Sequence, residues 1–170
     1  NLDSGMAFSG ATGLAVDGAP TNCPASPSGA YGALIVNNVS SDNRADGILL
    51  SAGGNVCVAD NVTNNNGSSG IEFNNRSEGG SVPPLTGVIV NNEITGNGGV
   101  QFGFAGTGIL VTEGARADLI QGNRLQNNRP FGIGIFLNGR AGFLPRTVRR
   151  TSFMVNGSLS KPPCVVLRDF

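Results

Sequence analysis

The sequence predicts an all-β solenoid, a single domain in which short strands coil so that each pairs in parallel with its counterpart one turn away. Two observations carry this. First, an apolar residue, then Asn or Asp three positions on, an aliphatic residue two further, and another Asn or Asp three further recur four times. The copies are Leu34, Asn37, Val39, Asp42; Cys57, Asp60, Val62, Asn65; Ile89, Asn92, Ile94, Asn97; and Ile120, Asn123, Leu125, Asn128. Second, each copy is followed by a glycine and an apolar, any, apolar alternation: Gly47-Ile48-Leu49-Leu50, Gly70-Ile71-Glu72-Phe73, Gly108-Ile109-Leu110-Val111 and Gly132-Ile133-Gly134-Ile135. Gly13-Leu14-Ala15-Val16 reads as a fifth, earlier copy. These glycines are spaced 34, 23, 38 and 24 residues apart, so the unit is about 23 residues with additions in some turns, within the range of solenoid repeats.

In chain order, residues 1–12 are small and polar, and Gly18 to Gly32, with Pro20, Pro24 and Pro27, is a turn-rich connection. Clear repeats run over 13–138, and 139–170 reads as an irregular C-terminal cap of the same domain. Asn37 and its equivalents interrupt two apolar runs. Asn hydrogen-bonds the backbone of a tight bend, tolerates a left-handed conformation, and when stacked in register bonds its counterpart in the next turn. Each unit therefore supplies three short strands and three bends, and no segment carries a sustained helical period. Alternation puts Ile71, Phe73, Ile109, Val111, Ile133 and Ile135 inside and Leu49, Glu72, Leu110 and Gly134 outside. Phe153 to Val155 and Val165 to Leu167 read as further strands that cover the end of the stack.

Composition narrows the function classes. Of 170 residues only 13% are charged, 27 are glycine, and 11 basic residues balance 11 acidic ones. No nucleic-acid surface or polybasic membrane patch is indicated, and no apolar run approaches a membrane span. The chain opens on Asn1, which suggests a processed or excised segment. Histidine is absent, and Cys23, Cys57 and Cys164 lack metal-binding spacing, so no metal or cofactor is expected. Cys57 stands in an aliphatic column and is expected as a buried free thiol; Cys23 and Cys164 pair only if the chain ends meet.

The repeated Asn-x-aliphatic-x-x-Asn followed by Gly-Ile-x-aliphatic resembles the right-handed parallel β-helix repeats of the pectin-lyase-like superfamily, over about Gly13 to Asn138. That superfamily includes polysaccharide lyases, glycosidases, epimerases, phage tailspikes and carbohydrate-binding modules. The resemblance implies a right-handed parallel β-helix of about five to six coils with Asn-ladder turns. It places the Gly-Ile strands in the first of three sheets, Val88 to Val90 in the second, and the Asn92 column at the bend between second and third. It also implies saccharide binding on the first sheet, and the two irregular additions flank that sheet. Asn74 to Gly87, with Arg76 and Glu78, lengthens one bend; Gly98 to Thr107, with Phe102 and Phe104, lengthens the other.

Candidate chemistry centres on Glu72, an outward acid with Asn74 beyond it and Thr112 and Glu113 one coil away. Coils stack about 4.8 Å apart, which makes Glu72 and Glu113 candidates for the carboxylate pair of glycoside hydrolysis, with Arg76 holding an anionic sugar and Glu78 nearby. The alternative reading of Glu72 is an ordinary solvated strand residue. Phe102, Phe104 and Phe136 are either a platform for sugar rings or the packing of a loop onto its own body. Leu49 and Leu110 beside Glu72 suggest a covered stripe instead. Arg140, Arg146, Arg149 and Arg150 are either solvated or contact an acidic sugar or a neighbouring subunit.

The activity motifs of the superfamily are largely missing. Pro145-Arg146-Thr147-Val148-Arg149 has the residue types of the pectate-lyase Arg-x-Pro-x-x-Arg segment in another order. The polygalacturonase acids are absent, and the acid-His motif of alginate epimerases has no His to use. A lyase or glycosidase of divergent type stays open. The expectation is a carbohydrate-directed protein, secreted or on a virion surface, with polysaccharide as partner. The alternative is a structural or adhesive solenoid that assembles into homo-oligomers through its outer strand faces.

Overall fold

The computed structural model describes residues 5–9, 23–51, 53–75, 84–98, 107–137, 147–149, 152–155, 158–159 and 165–169, and only the backbone of 8–9, 136–137 and the strands from 147 onward. The first strand among the described residues is β1 (Met6–Ser9), and repeating triplets follow from residue 33. These are β2 (Ala33–Val36), β3 (Val39–Ser41) and β4 (Ile48–Ser51); β5 (Asn55–Ala59), β6 (Val62–Asn64) and β7 (Ile71–Asn74); and β8 (Thr86–Val90), β9 (Glu93–Thr95) and β10 (Thr107–Thr112). Next come β11 (Arg116–Gln121), β12 (Arg124–Gln126) and β13 (Phe131–Leu137), then β14 (Thr147–Arg149), β15 (Ser152–Val155), β16 (Ser158–Leu159) and β17 (Val165–Asp169).

Three sheets result. Sheet 1 is ordered β1-β4-β7-β10-β13-β17, sheet 2 β14-β11-β8-β5-β2, and sheet 3 β16-β15-β12-β9-β6-β3. Every described pairing is parallel except the β15–β16 hairpin that ends sheet 3. The chain is a parallel β-helix, as the repeats predict, and the Gly-Ile strands form sheet 1.

Alternation fills the interior from all three sheets. Ile48, Leu50, Ile71, Phe73, Ile109, Val111, Ile133 and Ile135 come from sheet 1 and are 0–1% exposed. Ile35, Val56, Val58, Ile89 and Ile120 meet them from sheet 2, and Ile94 and Leu125 from sheet 3. Burying one such side chain contributes about 1.5–3 kcal/mol, and parallel stacking lets every coil bury several.

The bends carry two asparagine ladders. One runs Asn38, Asn61, Asn92, Asn123 and the other Asn43, Asn66, Asn97, Asn128. In both, the backbone N–H and the Nδ2 of one residue donate to the Oδ1 of the next, at 2.8–3.1 Å. The second Nδ2 hydrogen goes back to a main-chain carbonyl of the preceding coil, as from Asn61 to Ile35, Asn92 to Val58 and Asn97 to Thr63.

This corrects the alignment read from sequence. In the first two copies the ladder residues are Asn38, Asn61, Asn43 and Asn66, one position later than Asn37, Asp60, Asp42 and Asn65. Those four instead hold the left-handed corner before each ladder residue, at φ 58, 54, 56 and 52. Val39 and Val62 consequently face outward, Val39 being 73% exposed, while Ser40 and Thr63 occupy the inward positions that Ile94 and Leu125 fill later. Asp118 adds a further offset, a bulge residue between Ala117 and Leu119. The strand beside β4 is β1, with Met6 opposite Ile48, so the early copy in sheet 1 starts at Gly5-Met6. Gly13 to Val16 lies outside the described residues.

Cys57 is not a free thiol. Its column is Leu34, Cys57, Val88 and Leu119, on the outer face of sheet 2, and it forms a disulfide with Cys23 across 34 residues. The one-residue slip explains the misreading: aligned with Ile89 and Ile120, Cys57 belongs inside; aligned with Val88 and Leu119, it belongs outside. Cys164 lies outside the described residues.

The ladder and corner columns separate by mutation. Asn92→Ala strands buried partners on both neighbouring coils and is expected to lose about 3 kcal/mol or more in urea unfolding. Asn91→Gly, at an exposed corner of φ 55, is expected to change stability by less than about 1 kcal/mol. Equal losses would show that the ladder does not hold the stack.

Candidate functional site

In β4, β7 and β10 a glycine stands just before the first inward isoleucine because a side chain there has no room. A Cβ on Gly47, Gly70 or Gly108 would lie 2.7, 2.8 or 2.6 Å from the carbonyl oxygen of the glycine one coil on. The same packing draws the residues just before the glycines, Asp46 and Ser69, against the neighbouring coil. The Asp46 Oδ1 accepts the Ser69 backbone N–H at 2.8 Å.

Within β7, Ile71 and Phe73 point inward, which leaves Glu72 and Asn74 on the outer face. Leu49 and Leu110 stand opposite Glu72 in the adjacent strands; Ser51 and Thr112 stand opposite Asn74. The Glu72 carboxyl is half-buried between the two leucines. Its Oε1 accepts from Asn74 Nδ2 at 3.0 Å, and its Oε2 is 3.5 Å from Ser69 Oγ. Burial, and next the negative charge of Asp46 beside it, push the Glu72 pKa from 4.5 up to about 7, against the opposing pull of the Asn74 and Ser69 hydrogen bonds. A carboxyl group tuned to that range carries its proton near neutral pH and is able either to give it up or to take one back.

Of the residues singled out in sequence, the structure brings Glu72, Asn74 and Thr112 together on one face. Glu113 is an exposed residue of the turn after β10, at φ 54, three positions past Leu110. That places it about 10 Å along the strand direction from the Glu72 row. The acid beside Glu72 is therefore Asp46, one coil earlier and 7% exposed. The sequence reading did not single out Asp46 or Ser69, although both stand immediately before a repeat glycine, a position that sheet-1 packing turns toward the neighbouring coil. Arg76, Glu78, Phe102 and Phe104 lie outside the described residues, as do Arg140, Arg146 and Arg150. Phe136 lies on β13 and Arg149 on β14, each with only its backbone described. Among the described residues no group of three His, Cys, Asp or Glu side chains is placed to hold a metal ion, and no helix is long and apolar enough to cross a membrane.

A family model described as a right handed beta helix region matches residues 9–148. No curated protein and no solved structure matches the chain.

Because the folded state holds the Glu72 proton more tightly than the unfolded chain, its contribution to stability is fully present below pH 4.5 and lost as the pH rises through about 7. Glu72→Gln removes this dependence. Relative to the wild type, the variant is expected to gain on the order of 2 kcal/mol between pH 4.5 and 8, read from urea midpoints across the range. Parallel curves for the two proteins would contradict the assignment.

Proposed function

The chain belongs to the right-handed β-helix family, and on that footing we propose that it is a carbohydrate-directed protein whose site is the outer face of sheet 1, centred on Glu72. The observation that carries the reading is the setting of Glu72, a half-buried acid between Leu49 and Leu110, held by Asn74 and Ser69 and kept protonated toward neutrality by burial and Asp46. A saccharide chain laid across sheet 1 meets the partly exposed Leu49 for a ring face and the amide, hydroxyl and carboxyl groups of Asn74, Thr112 and Glu72 for its hydroxyls. The connections after β7 and before β10 are longer than their counterparts in the previous coil, and both border this sheet.

In hydrolysis on this face, Glu72 gives its proton to the leaving glycosidic oxygen as water adds to the anomeric carbon and sheds a proton to solvent. In a lyase its ionised form takes the proton beside the uronate carboxyl as a C=C bond forms and the glycosidic oxygen leaves, taking a proton from solvent, with Asp46 raising the basicity of Glu72. Asn74 and Ser69 hold the carboxyl in place. The disulfide between Cys23 and Cys57 supports a secreted or virion-surface location, since such bonds persist in oxidising surroundings.

One observation favours the second reading, an assembly surface: Val39, on the outer face of sheet 3, is an aliphatic side chain left 73% exposed. The readings separate in a panel of neutral and acidic polysaccharides with products read by mass spectrometry. Glu72→Gln is expected to lower turnover about 100-fold or more with the oligomeric state unchanged. An assembly surface would instead leave every polysaccharide intact and dissociate on Val39→Asp, read by light scattering.

A further inference from the structure

The outer face of sheet 2 is built like a second core. Cys57, Ala59, Val88 and Val90 are 0–2% exposed there, with Leu34, Val36 and Leu119 partly buried around them. The described residues packed over this strip from outside the sheet are Cys23 and Tyr31, the two ends of the segment 23–31. That segment, Cys-Pro-Ala-Ser-Pro-Ser-Gly-Ala-Tyr, offers little apolar surface between its ends.

Three fastenings hold it. The disulfide ties Cys23 to Cys57 in the middle of the apolar strip. At the sheet margin, Asn55 Nδ2 donates to the carbonyls of Gly29 and Ala30 at 2.8 and 3.2 Å, and Ser26 Oγ donates to Asn55 Oδ1 at 3.1 Å. On the neighbouring side, Ser28 Oγ donates to the Asp118 carboxylate at 2.5 Å and accepts from Arg116 Nη2 at 2.6 Å, with Arg116 Nε and Asp118 Oδ1 paired at 2.8 Å. Asp118 is available for this because it is the bulge residue of β11. Tyr31 folds its hydroxyl back onto the Pro24 carbonyl, which makes the segment a closed loop over the sheet. The disulfide is the one covalent fastening on the strip, where Tyr31 also packs; the other two are polar and grip the margin through Asn55 and the buried Asp118.

We propose that segment 23–31 is a redox-releasable cover, and that reducing the Cys23–Cys57 bond uncovers the apolar outer face of sheet 2 while the β-helix stays intact. The chemistry is thiol–disulfide exchange with a dithiol. Its thiolate attacks the Cys23 sulfur, the less buried of the pair, forming a mixed disulfide as Cys57 leaves and takes up a proton. The second thiol of the reductant closes its own disulfide and frees the Cys23 thiol, so one dithiol is oxidised and two protein thiols are formed. Among Ala59, Val88 and Val90, the reduced Cys57 packs as a small apolar side chain.

The test is hydrogen exchange on the full chain, oxidised and after dithiothreitol, together with binding of an apolar fluorescent dye. Reduction is expected to speed exchange of amides 23–31 at least tenfold and to switch on dye binding, both reversed on reoxidation, while β7, β10 and the ladder amides keep their protection. Cys23→Ser and, to keep the strip filled, Cys57→Val should reproduce the released state without reductant. Unchanged protection of 23–31 with no dye binding would overturn the proposal, leaving the disulfide a passive staple. Loss of protection throughout the stack would overturn it equally, by making the bond a requirement of the fold.

Discussion

Among the described residues, the four coils from β2 to β13 are tied together by the hydrogen bonds their asparagines make from one coil to the next. A ladder residue such as Asn92 uses its Oδ1 to receive two donors from Asn61, one Nδ2 hydrogen to reach Asn123, and the other to reach the Val58 carbonyl. No other side chain substitutes: Asp has no donor, and Gln reaches too far for a bend that a left-handed residue has already closed. Because the ladder fixes which residue sits above which, it also fixes which side chains enter the interior and which are set out in rows on the faces. A one-residue slip in one coil would turn its strands inside out.

The three outer faces that follow have different characters. Sheet 3 presents Val39, Val62, Glu93 and Arg124, with Glu93 and Arg124 paired at an exposed 3.3 Å contact that contributes little. Sheet 2 presents a continuous apolar strip with a covering segment fastened over it. Sheet 1 presents the mixed face in which an acid is set between leucines, where desolvation and a neighbouring carboxylate act in the same direction. The same stacking that buries Ile71 and Phe73 thus creates the electrostatic setting of Glu72, since the coil before it brings in Asp46 through a glycine that leaves no room for a side chain.

The fold was legible because Gly-Ile-x-aliphatic survives in four coils and marks sheet 1 without ambiguity. The ladders were only half legible. Asn37-Asn38, Asp60-Asn61 and Asn91-Asn92 are adjacent pairs of residues that suit both a left-handed corner and a ladder. Polar Ser40 and Thr63 at inward positions removed the apolar signal that would have chosen between them. That slip carried Cys57 to the wrong side of the sheet and hid its pairing with Cys23. At the site, Glu72 and Asn74 were readable from strand alternation alone. Asp46 was not, since it sits in a bend where alternation fails, and its closeness to Glu72 depends on how the glycines let adjacent coils approach.

The saccharide site proposed on the outer face of sheet 1 can be mapped from the amide shifts of isotopically labelled protein titrated with neutral and acidic oligosaccharides. Binding at that face perturbs Leu49, Glu72, Asn74, Leu110 and Thr112 and leaves sheets 2 and 3 silent. Perturbations confined to sheets 2 or 3, or none with any oligosaccharide, would contradict it.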